Sequence, residues 1–204
     1  MFLSARHVKR TMLNNSYNVK FLVGPLNLQI KNAITNWVPE NIGGEKKLFI
    51  YIIGHGTNFL GGVIIMRTGL FLLASMLGSW LDEIKDEYSQ CTVLIESCEG
   101  GAFVDELSGD NRIIITSTSD SQPSYGNRTD ESPYTKIFFN ELDKGTTIGE
   151  AWEIADRFVV EEGLEKQDPQ IDDNGNGLSV GNLQIIDTLP ITDSQGLEDG
   201  NIAL

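Results

Sequence analysis

Apolar residues are arranged along the chain in two alternating patterns. An uninterrupted apolar run at residues 48–53, and apolar segments with polar ends at 92–96 and 112–116, are typical of strands in the interior of a sheet. Between these runs the apolar positions recur at helical spacing. The clearest case is residues 76–84, where Met76, Leu77, Trp80, Leu81 and Ile84 form one stripe. This alternation predicts an α/β domain with a mostly parallel sheet and helices on both faces.

The remaining elements are predicted from the same spacing of apolar residues and from Gly and Pro residues, which mark turns and the ends of elements. Further helices are predicted at residues 5–13, 28–38, 134–142 and 148–160, with a short one ending near Leu107. We predict a short strand at residues 19–23 and a hairpin at residues 62–72, turning at 67–69. A polar loop covers residues 117–133, and the chain is polar and rich in Gly, Asp and Asn from Gln167 onward. We therefore predict one domain over residues 1–165, with an acidic segment over 166–204 that packs on it or trails from it.

Charge and apolar length exclude some partners. The chain has 29 acidic and 15 basic residues, for a net charge of -14, which disfavours binding to nucleic acid. No apolar run reaches the roughly 20 residues of a membrane span, so membrane insertion is not expected. Residues 1–10 lack a secretory pattern. The acidic, Asn-, Asp- and Gly-rich composition favours a secreted or extracytoplasmic bacterial location, with no signal peptide in these residues.

The two cysteines, Cys91 and Cys98, are not expected to form a disulfide. They bracket a predicted strand, and seven residues at about 3.3 Å each separate them by about 23 Å. A disulfide needs Cα atoms within about 7 Å. Cys98 is therefore predicted to be a free thiol with its own chemistry.

Reactive side chains follow two of the predicted buried strands. His55 comes just after the run at residues 48–53, and Cys98 just after 92–96. Ligands bind outside the carboxyl ends of such strands, so neighbouring strands would bring imidazole and thiol together. The imidazole can take the thiol proton, and the thiolate can attack a carbonyl carbon. The amides of Gly56, which has no Cβ, and of Cys98 are the natural donors to the resulting oxyanion.

Two segments resemble the legumain-type branch of the caspase-like peptidases. They are Phe49-Ile-Tyr-Ile-Ile-Gly-His55-Gly56 and Val93-Leu-Ile-Glu96-Ser-Cys98-Glu-Gly-Gly-Ala-Phe103. Supporting matches occur at residues 112–117, 123–125, 138–139, 149–151 and 169–177, so that the resemblance covers about residues 5–180. It is closest to the bacterial members. It implies a three-layer caspase-like fold and a cysteine endopeptidase with Cys98 as nucleophile, His55 as general base, and Gly56 and Cys98 as oxyanion hole.

The resemblance also implies a specificity pocket. Glu96 matches an acidic residue that lines this pocket, and the loop carrying Ser117, Ser119 and Ser124 would form another wall. An acidic pocket favours Asn, Arg or Lys before the scissile bond, and the choice among them stays open. Alternatively, Glu96 caps the turn at residues 100–101. The expected partner is a peptide or protein substrate, no cofactor is required, and the oligomeric state is left open.

The chain departs from the family pattern at Gly100 and Ala102, where members have Ser, and also in two more important places. Gly54 stands where legumains have Asp. The family fold also opens with a central strand and with a loop that carries a pocket Arg and an Asn, whereas this chain starts at the helix that follows them. We therefore expect either a fragment or a sheet without its first central strand. The alternative function is a catalytically inactive caspase-like domain for peptide binding or assembly.

Oxygen ligands at alternate positions suggest one metal site. Asp172, Asn174 and Asn176 precede Gly177 with the spacing of a calcium loop, but Leu183 at the twelfth position cannot chelate. Two readings remain, an Asx-rich turn and a calcium site of another type.

Overall fold

The structure, a computed structural model, describes residues 2–67, 69–125, 132–161, 167–177 and 179–181. Its α-helices are α1 (Phe2–Asn14), α2 (Asn27–Asn32), α3 (Val38–Asn41), α4 (Ala74–Glu83), α5 (Val104–Leu107), α6 (Pro133–Asp143) and α7 (Ile148–Glu161). Its strands are β1 (Lys47–Ile53), β2 (His55–Thr57), β3 (Val63–Ile65), β4 (Phe71–Leu73), β5 (Gln90–Glu96), β6 (Arg112–Thr116), β7 (Gln170–Asp172) and β8 (Val180–Gly181). A π-helix, Ala33–Trp37, joins α2 to α3, and 3-10 helices cover Phe59–Gly61 and Gly100–Phe103.

The main sheet has five strands in the order β1-β5-β6-β7-β8. Strands β1, β5 and β6 are parallel, whereas β7 and β8 run antiparallel to their neighbours. Side chains alternate between the two faces of a strand, and β1 has apolar side chains on both. Leu48, Ile50 and Ile52 pack against one hydrophobic core, and Phe49 and Tyr51 against the other.

Two hydrophobic cores, one on each face of the sheet, make the domain three-layered. The first contains side chains of α4 and α5 and of the helical region at residues 33–38, such as Leu77, Leu81 and Leu107. The second contains side chains of α1, α6 and α7, and includes Phe139 and Trp152. Mostly parallel strands between two helical layers confirm the predicted fold class.

A second, three-stranded antiparallel sheet has the order β2-β3-β4. Strands β3 and β4 form the predicted hairpin, in which Met66 N–H donates to Leu70 O at 2.9 Å. Strand β2 follows β1 after one intervening residue and pairs His55 with Ile65. This small sheet therefore holds the segment that begins at His55.

The predicted strand at residues 19–23 is wrong. Residues 17–22 have no regular secondary structure, and residues 23–24 form a bend. The segment is instead fixed near its start, where Tyr17 N–H donates to Met12 O at 3.0 Å and Asn18 Nδ2 donates to Asn41 O at 2.7 Å. It has no strand beside it among the described residues, and an extended segment without a partner has no ladder to join.

The prediction that β1 is buried on both faces is also wrong in part. All seven residues of β1 are half-buried, whereas all seven of β5 are buried. The reason is position, because β1 pairs with β5 on one side and has no strand on the other in the described part of the chain. Among the described residues the sheet therefore ends at β1, and the two alternatives of a fragment and a sheet without its first central strand stay open.

Most helices agree with the sequence patterns. The predicted helix at residues 28–38 is divided between α2, the π-helix and α3, with Pro39 within the first two positions of α3. The segment from residue 167 forms β7 and β8 at the far edge of the sheet. The proposed boundary at residues 165–166 and the tail at 182–204 lie outside the described residues. Among the described helices, none is long and apolar enough to span a membrane.

Candidate active site

The register of β1 against β5 determines where His55 and Cys98 lie. The two strands are paired in parallel from Lys47 opposite Gln90 to Ile53 opposite Glu96, and Gly54 N–H donates to Glu96 O at 3.1 Å. His55 and Cys98 therefore each come two residues after the last pair, at the same edge of the sheet. The His55 side chain is exposed and Cys98 is half-buried. The two residues that sequence reasoning singled out thus follow adjacent strands of the main sheet.

Gly56 lies directly against the segment that carries the cysteine. A Cβ at this position would be 2.6 Å from Cys98 O and 2.6 Å from Ser97 Oγ. No side chain fits at such distances, so glycine is required for the approach. The backbones of the two predicted oxyanion donors, Gly56 and Cys98, are thus adjacent.

Glu99 links the histidine segment to the cysteine segment. Its carboxylate accepts hydrogen bonds from Thr57 Oγ1 at 3.1 Å and from Asn58 N–H. The Glu99 backbone is left-handed, with φ of 54°, and its N–H donates to Gln122 O at 2.7 Å. A non-glycine residue in this conformation is uncommon and is held by its surroundings. Sequence reasoning assigned no role to Glu99, although its place directly after Cys98 was the available signal.

The two thiols have different environments. Cys98 Sγ accepts a hydrogen bond from Ser124 N–H at 3.4 Å. Cys91 is fully buried within β5, and burial raises the pKa of its thiol to about 12. Both cysteines are free, as predicted.

Glu96 is a buried carboxylate surrounded by hydroxyl groups. It is 2% exposed and accepts hydrogen bonds from Ser124 Oγ at 2.8 Å and from Thr135 Oγ1. Burial raises the pKa of the Glu96 carboxyl, and neighbouring hydroxyls partly oppose that rise. The opposing hydroxyls are those of Thr135, Ser124, Ser132 and Ser117. In the described part of the chain no cation forms a salt bridge with Glu96.

Ser124 connects this carboxylate with the nucleophile segment. Its amide contacts Cys98 and its hydroxyl contacts Glu96, so the loop predicted as a pocket wall does lie beside both. Ser117 is fully buried, and the half-buried Ser119 lies where a Cβ on Gly101 would be 3.0 Å from its Cα. Sequence reasoning missed Ser132 and Thr135, which α6 brings from more than 30 residues away.

The residues around the loop hold its backbone in place. Thr118 Oγ1 donates to Ser97 O at 2.9 Å and accepts from Gly100 N–H at 2.8 Å. Tyr125 N–H donates to Gln167 Oε1 at 3.1 Å. The nucleophile segment and the loop are therefore joined on both sides of Cys98.

The candidate calcium residues form a turn. The fully buried Asp172 carboxylate accepts from Asn174 N–H at 3.3 Å and from Gly175 N–H and Gly177 N–H, both at 3.0 Å. Asn174 Oδ1 accepts from Asn176 N–H at 3.1 Å. These side-chain oxygens close the backbone turn, the pattern of an Asx-rich loop. No cluster of three or more acidic, His or Cys side chains suited to a metal occurs in the described regions.

The architecture and the placement of His and Cys at one sheet edge define a caspase-like α/β protein. The fold is similar to that of caspase-1 from Spodoptera frugiperda, with a TM-score of 0.64 over 83% of this chain and 76% of that one, at 15% identity. No curated protein sequence matches the chain. The Peptidase C13 family model matches residues 37–155, more than half of the chain, so the protein belongs to this family. It is a legumain-like, caspase-fold peptidase.

Proposed function

We propose that the protein is an endopeptidase that cleaves peptide bonds through a thioester at Cys98. The observation that carries the proposal is the β1–β5 register, which leaves His55 and Cys98 two residues beyond the same pair. Membership of the Peptidase C13 family supports the same chemistry. The nearby amide of Ser124, which donates to the sulfur, is a suitable partner for a thiolate.

In the proposed reaction His55 takes the proton of the Cys98 thiol, and the thiolate forms a bond to the substrate carbonyl carbon. The C–N bond then breaks, and His55 donates the proton to the leaving amine. Water, deprotonated by His55, attacks the thioester, and the C–S bond breaks to release the acid and restore the thiol. The amides of Gly56 and Cys98 would stabilise the oxyanion in both steps.

We further propose that Glu96 selects the residue before the scissile bond. Its carboxylate lies behind Ser124, which also contacts Cys98. A buried acid without a cation is costly, and a cationic or amide side chain can supply the missing partner. Asn, Arg and Lys are therefore the proposed preferences.

Peptide cleavage tests the proposal directly. Among fluorogenic peptides that differ only in having Asn, Arg, Lys or Asp before the scissile bond, at least one of the first three should be cleaved and the Asp peptide should resist. Cys98→Ala should abolish cleavage, and Cys91→Ala, if folded, should leave kcat unchanged. Cleavage that survives Cys98→Ala, or equal cleavage after Asp, would reject the mechanism or the specificity.

A catalytically silent peptide-binding domain is the second candidate. The edge of β1, which has no neighbouring strand among the described residues, favours it. Alkylation distinguishes the two functions without a substrate. An active dyad should make Cys98 react much faster than Cys91, and His55→Ala should slow that reaction. A Cys98 that is unaffected by His55→Ala would leave peptide binding as the better assignment.

A further inference from the structure

Two consecutive apolar side chains are exposed shortly after β2. Phe59 and Leu60 begin a 3-10 helix, and they are 65% and 63% exposed. Single apolar residues on a surface need no explanation, but adjacent ones close to a candidate active site indicate a surface that meets a ligand. We call residues 58–61 the Phe59 turn.

Hydrogen bonds hold the Phe59 turn against the segments on both sides of the nucleophile. Asn58 N–H donates to the carboxylate of Glu99, the residue directly after Cys98. Asn58 Nδ2 donates to Asp120 O at 3.0 Å, in the loop after β6. The two exposed apolar side chains therefore have a fixed place beside the candidate active site.

The backbone of the Phe59 turn is strained at Leu60. Its φ is 53° and its ψ is 41°, in the left-handed region. In the described part of the chain it is the only apolar residue other than glycine with a positive φ. A bulky residue in this region costs free energy, and burial does not offset the cost because the side chain is exposed. Strained residues of this kind cluster at ligand-binding sites, so the strain favours a role in contacting a ligand.

Acidic side chains surround the Phe59 turn. A Cβ on Gly61 would be 3.3 Å from Glu106 Oε1, so this carboxylate lies against the turn. Asp120, whose backbone accepts from Asn58, is exposed, as is Glu106. Neither carboxylate forms a salt bridge within the described residues. A ligand that covers the two apolar side chains would therefore gain from a positive charge next to its own apolar group.

The proposed reaction indicates which part of a substrate meets the Phe59 turn. Glu96 and Ser124 are assigned to the residue before the scissile bond, whereas His55 gives its proton to the leaving amine. The residues after the bond therefore lie on the His55 side. Phe59 is four residues from His55, a separation of at most about 14 Å. A peptide extends by about 3.3 Å per residue, so its third or fourth residue after the scissile bond reaches the turn.

We propose that the Phe59 turn binds the leaving-group side of the substrate, through a large apolar side chain and an adjacent Lys or Arg at the third and fourth positions after the scissile bond. Phe59 and Leu60 cover the apolar side chain, and Glu106 and Asp120 attract the cation. The inference rests on the proposed peptidase function and narrows its substrate class. Because these contacts lie away from the reacting atoms, they should lower KM with little effect on kcat.

Fluorogenic peptides test the inference on the full chain. All of them carry the same cleavable residue before the scissile bond, and they differ only at the third and fourth positions after it. These positions are Leu-Arg, Arg-Leu, Gly-Gly or Leu-Glu. The better of the first two should have a kcat/KM about tenfold above those of the Gly-Gly and Leu-Glu peptides, mainly through KM. Moving Leu-Arg to the third and fourth positions before the bond should give no such gain.

Substitutions on the protein supply matched variants, all at exposed positions. Leu60→Asn removes the apolar side chain but keeps a residue that tolerates the left-handed conformation, so it should remove the preference for Leu. Leu13→Ser, on α1, should not. Glu106→Lys should reverse the preference from Arg to Glu, whereas Asp86→Lys, before the start of β5 at the opposite edge of the sheet, should not. Circular dichroism checks that each variant is folded.

Peptide binding to Cys98→Ala, measured by fluorescence anisotropy, separates this inference from the proposed catalysis. If no peptide is cleaved but this variant binds the Leu-Arg peptide better than the Gly-Gly peptide, and Leu60→Asn removes the difference, the Phe59 turn is a binding site and only the catalytic proposal fails. If all peptides are cleaved equally, or if Leu60→Asn keeps the wild-type preference, the inference is wrong and the peptidase function stands. Absence of both cleavage and binding would reject both.

Discussion

Gly56→Ala tests how closely the histidine segment must approach the cysteine segment. The added Cβ would lie 2.6 Å from Cys98 O and from Ser97 Oγ, whereas ordinary contacts begin at 3.4 Å. The two segments must therefore separate by 3.4 minus 2.6, or 0.8 Å. A displacement of about 1 Å between reacting groups can cost about 10²-fold in rate. We expect kcat/KM, and the Cys98 alkylation rate, to fall by about that factor.

The stability cost of Gly56→Ala should be similar in size to its effect on activity, since a 10²-fold loss in rate is about 2.7 kcal/mol. Overpacking a buried contact costs about 1–3 kcal/mol, which denaturant unfolding measures. Gly44→Ala is the matched control, because a Cβ there meets nothing within 4 Å and should change stability by less than about 0.5 kcal/mol. If Gly56→Ala is folded and as reactive as the Gly44→Ala control, then close approach of the two segments is not needed for the chemistry.

Three further predictions concern the buried and connecting groups. Glu99→Ala removes the carboxylate that accepts hydrogen bonds from Thr57 Oγ1 and Asn58 N–H. The Cys98 alkylation rate should therefore fall about tenfold, and the free energy of unfolding should fall by about 1.5–3 kcal/mol. An unchanged alkylation rate would show that Glu99 does not position His55. Burial raises the pKa of the Glu96 carboxyl above its ordinary value, so its folded-state stability contribution is complete below the ordinary pKa and is lost as pH rises through the raised pKa. As pH rises through the raised pKa of Glu96, the free energy of unfolding of the wild type, measured by urea titration, should therefore fall relative to that of Glu96→Gln. If the two proteins show the same dependence of stability on pH, this prediction is wrong. Cys91 is fully buried, and burial raises the pKa of its thiol to about 12. It should therefore be alkylated only as fast as the domain unfolds, which mass spectrometry at increasing urea concentrations can follow. Fast labelling of Cys91 in the native protein would mean that β5 opens locally.

The sequence predicted the layers, and the placement of His55 and Cys98 after adjacent strands, because both depend on local signals. The apolar run of β5 and the helical stripe of α4 are formed by neighbouring residues, and each was found within a few residues of its true bounds. His55 and Cys98 could be paired because each directly follows a buried strand. Parallel strands bring their carboxyl ends to one edge whatever the intervening loops do.

What the sequence could not provide were properties that depend on distant neighbours. Residues 19–23 have the composition of a strand, but a strand exists only where another pairs with it. Strand β1 is half-buried for a related reason, because no strand pairs with its outer edge among the described residues. The hydroxyl groups around Glu96 come from separate stretches of the chain, and only the packed α6 places Ser132 and Thr135 beside it. Glu99 acts through contacts with residues 57 and 58, more than 40 positions earlier.

The strand register also determines which connections can vary in this scaffold. His55 and Cys98 each follow the last β1–β5 pair after only two residues, and both the hairpin after β2 and the loop after β6 contact the segments that carry them. The turn of the hairpin is different, because a Cβ on Gly69 would meet nothing within 4 Å. Insertions at Gly69 should therefore leave the alkylation rate of Cys98 unchanged, whereas insertions before Ser124 should change it.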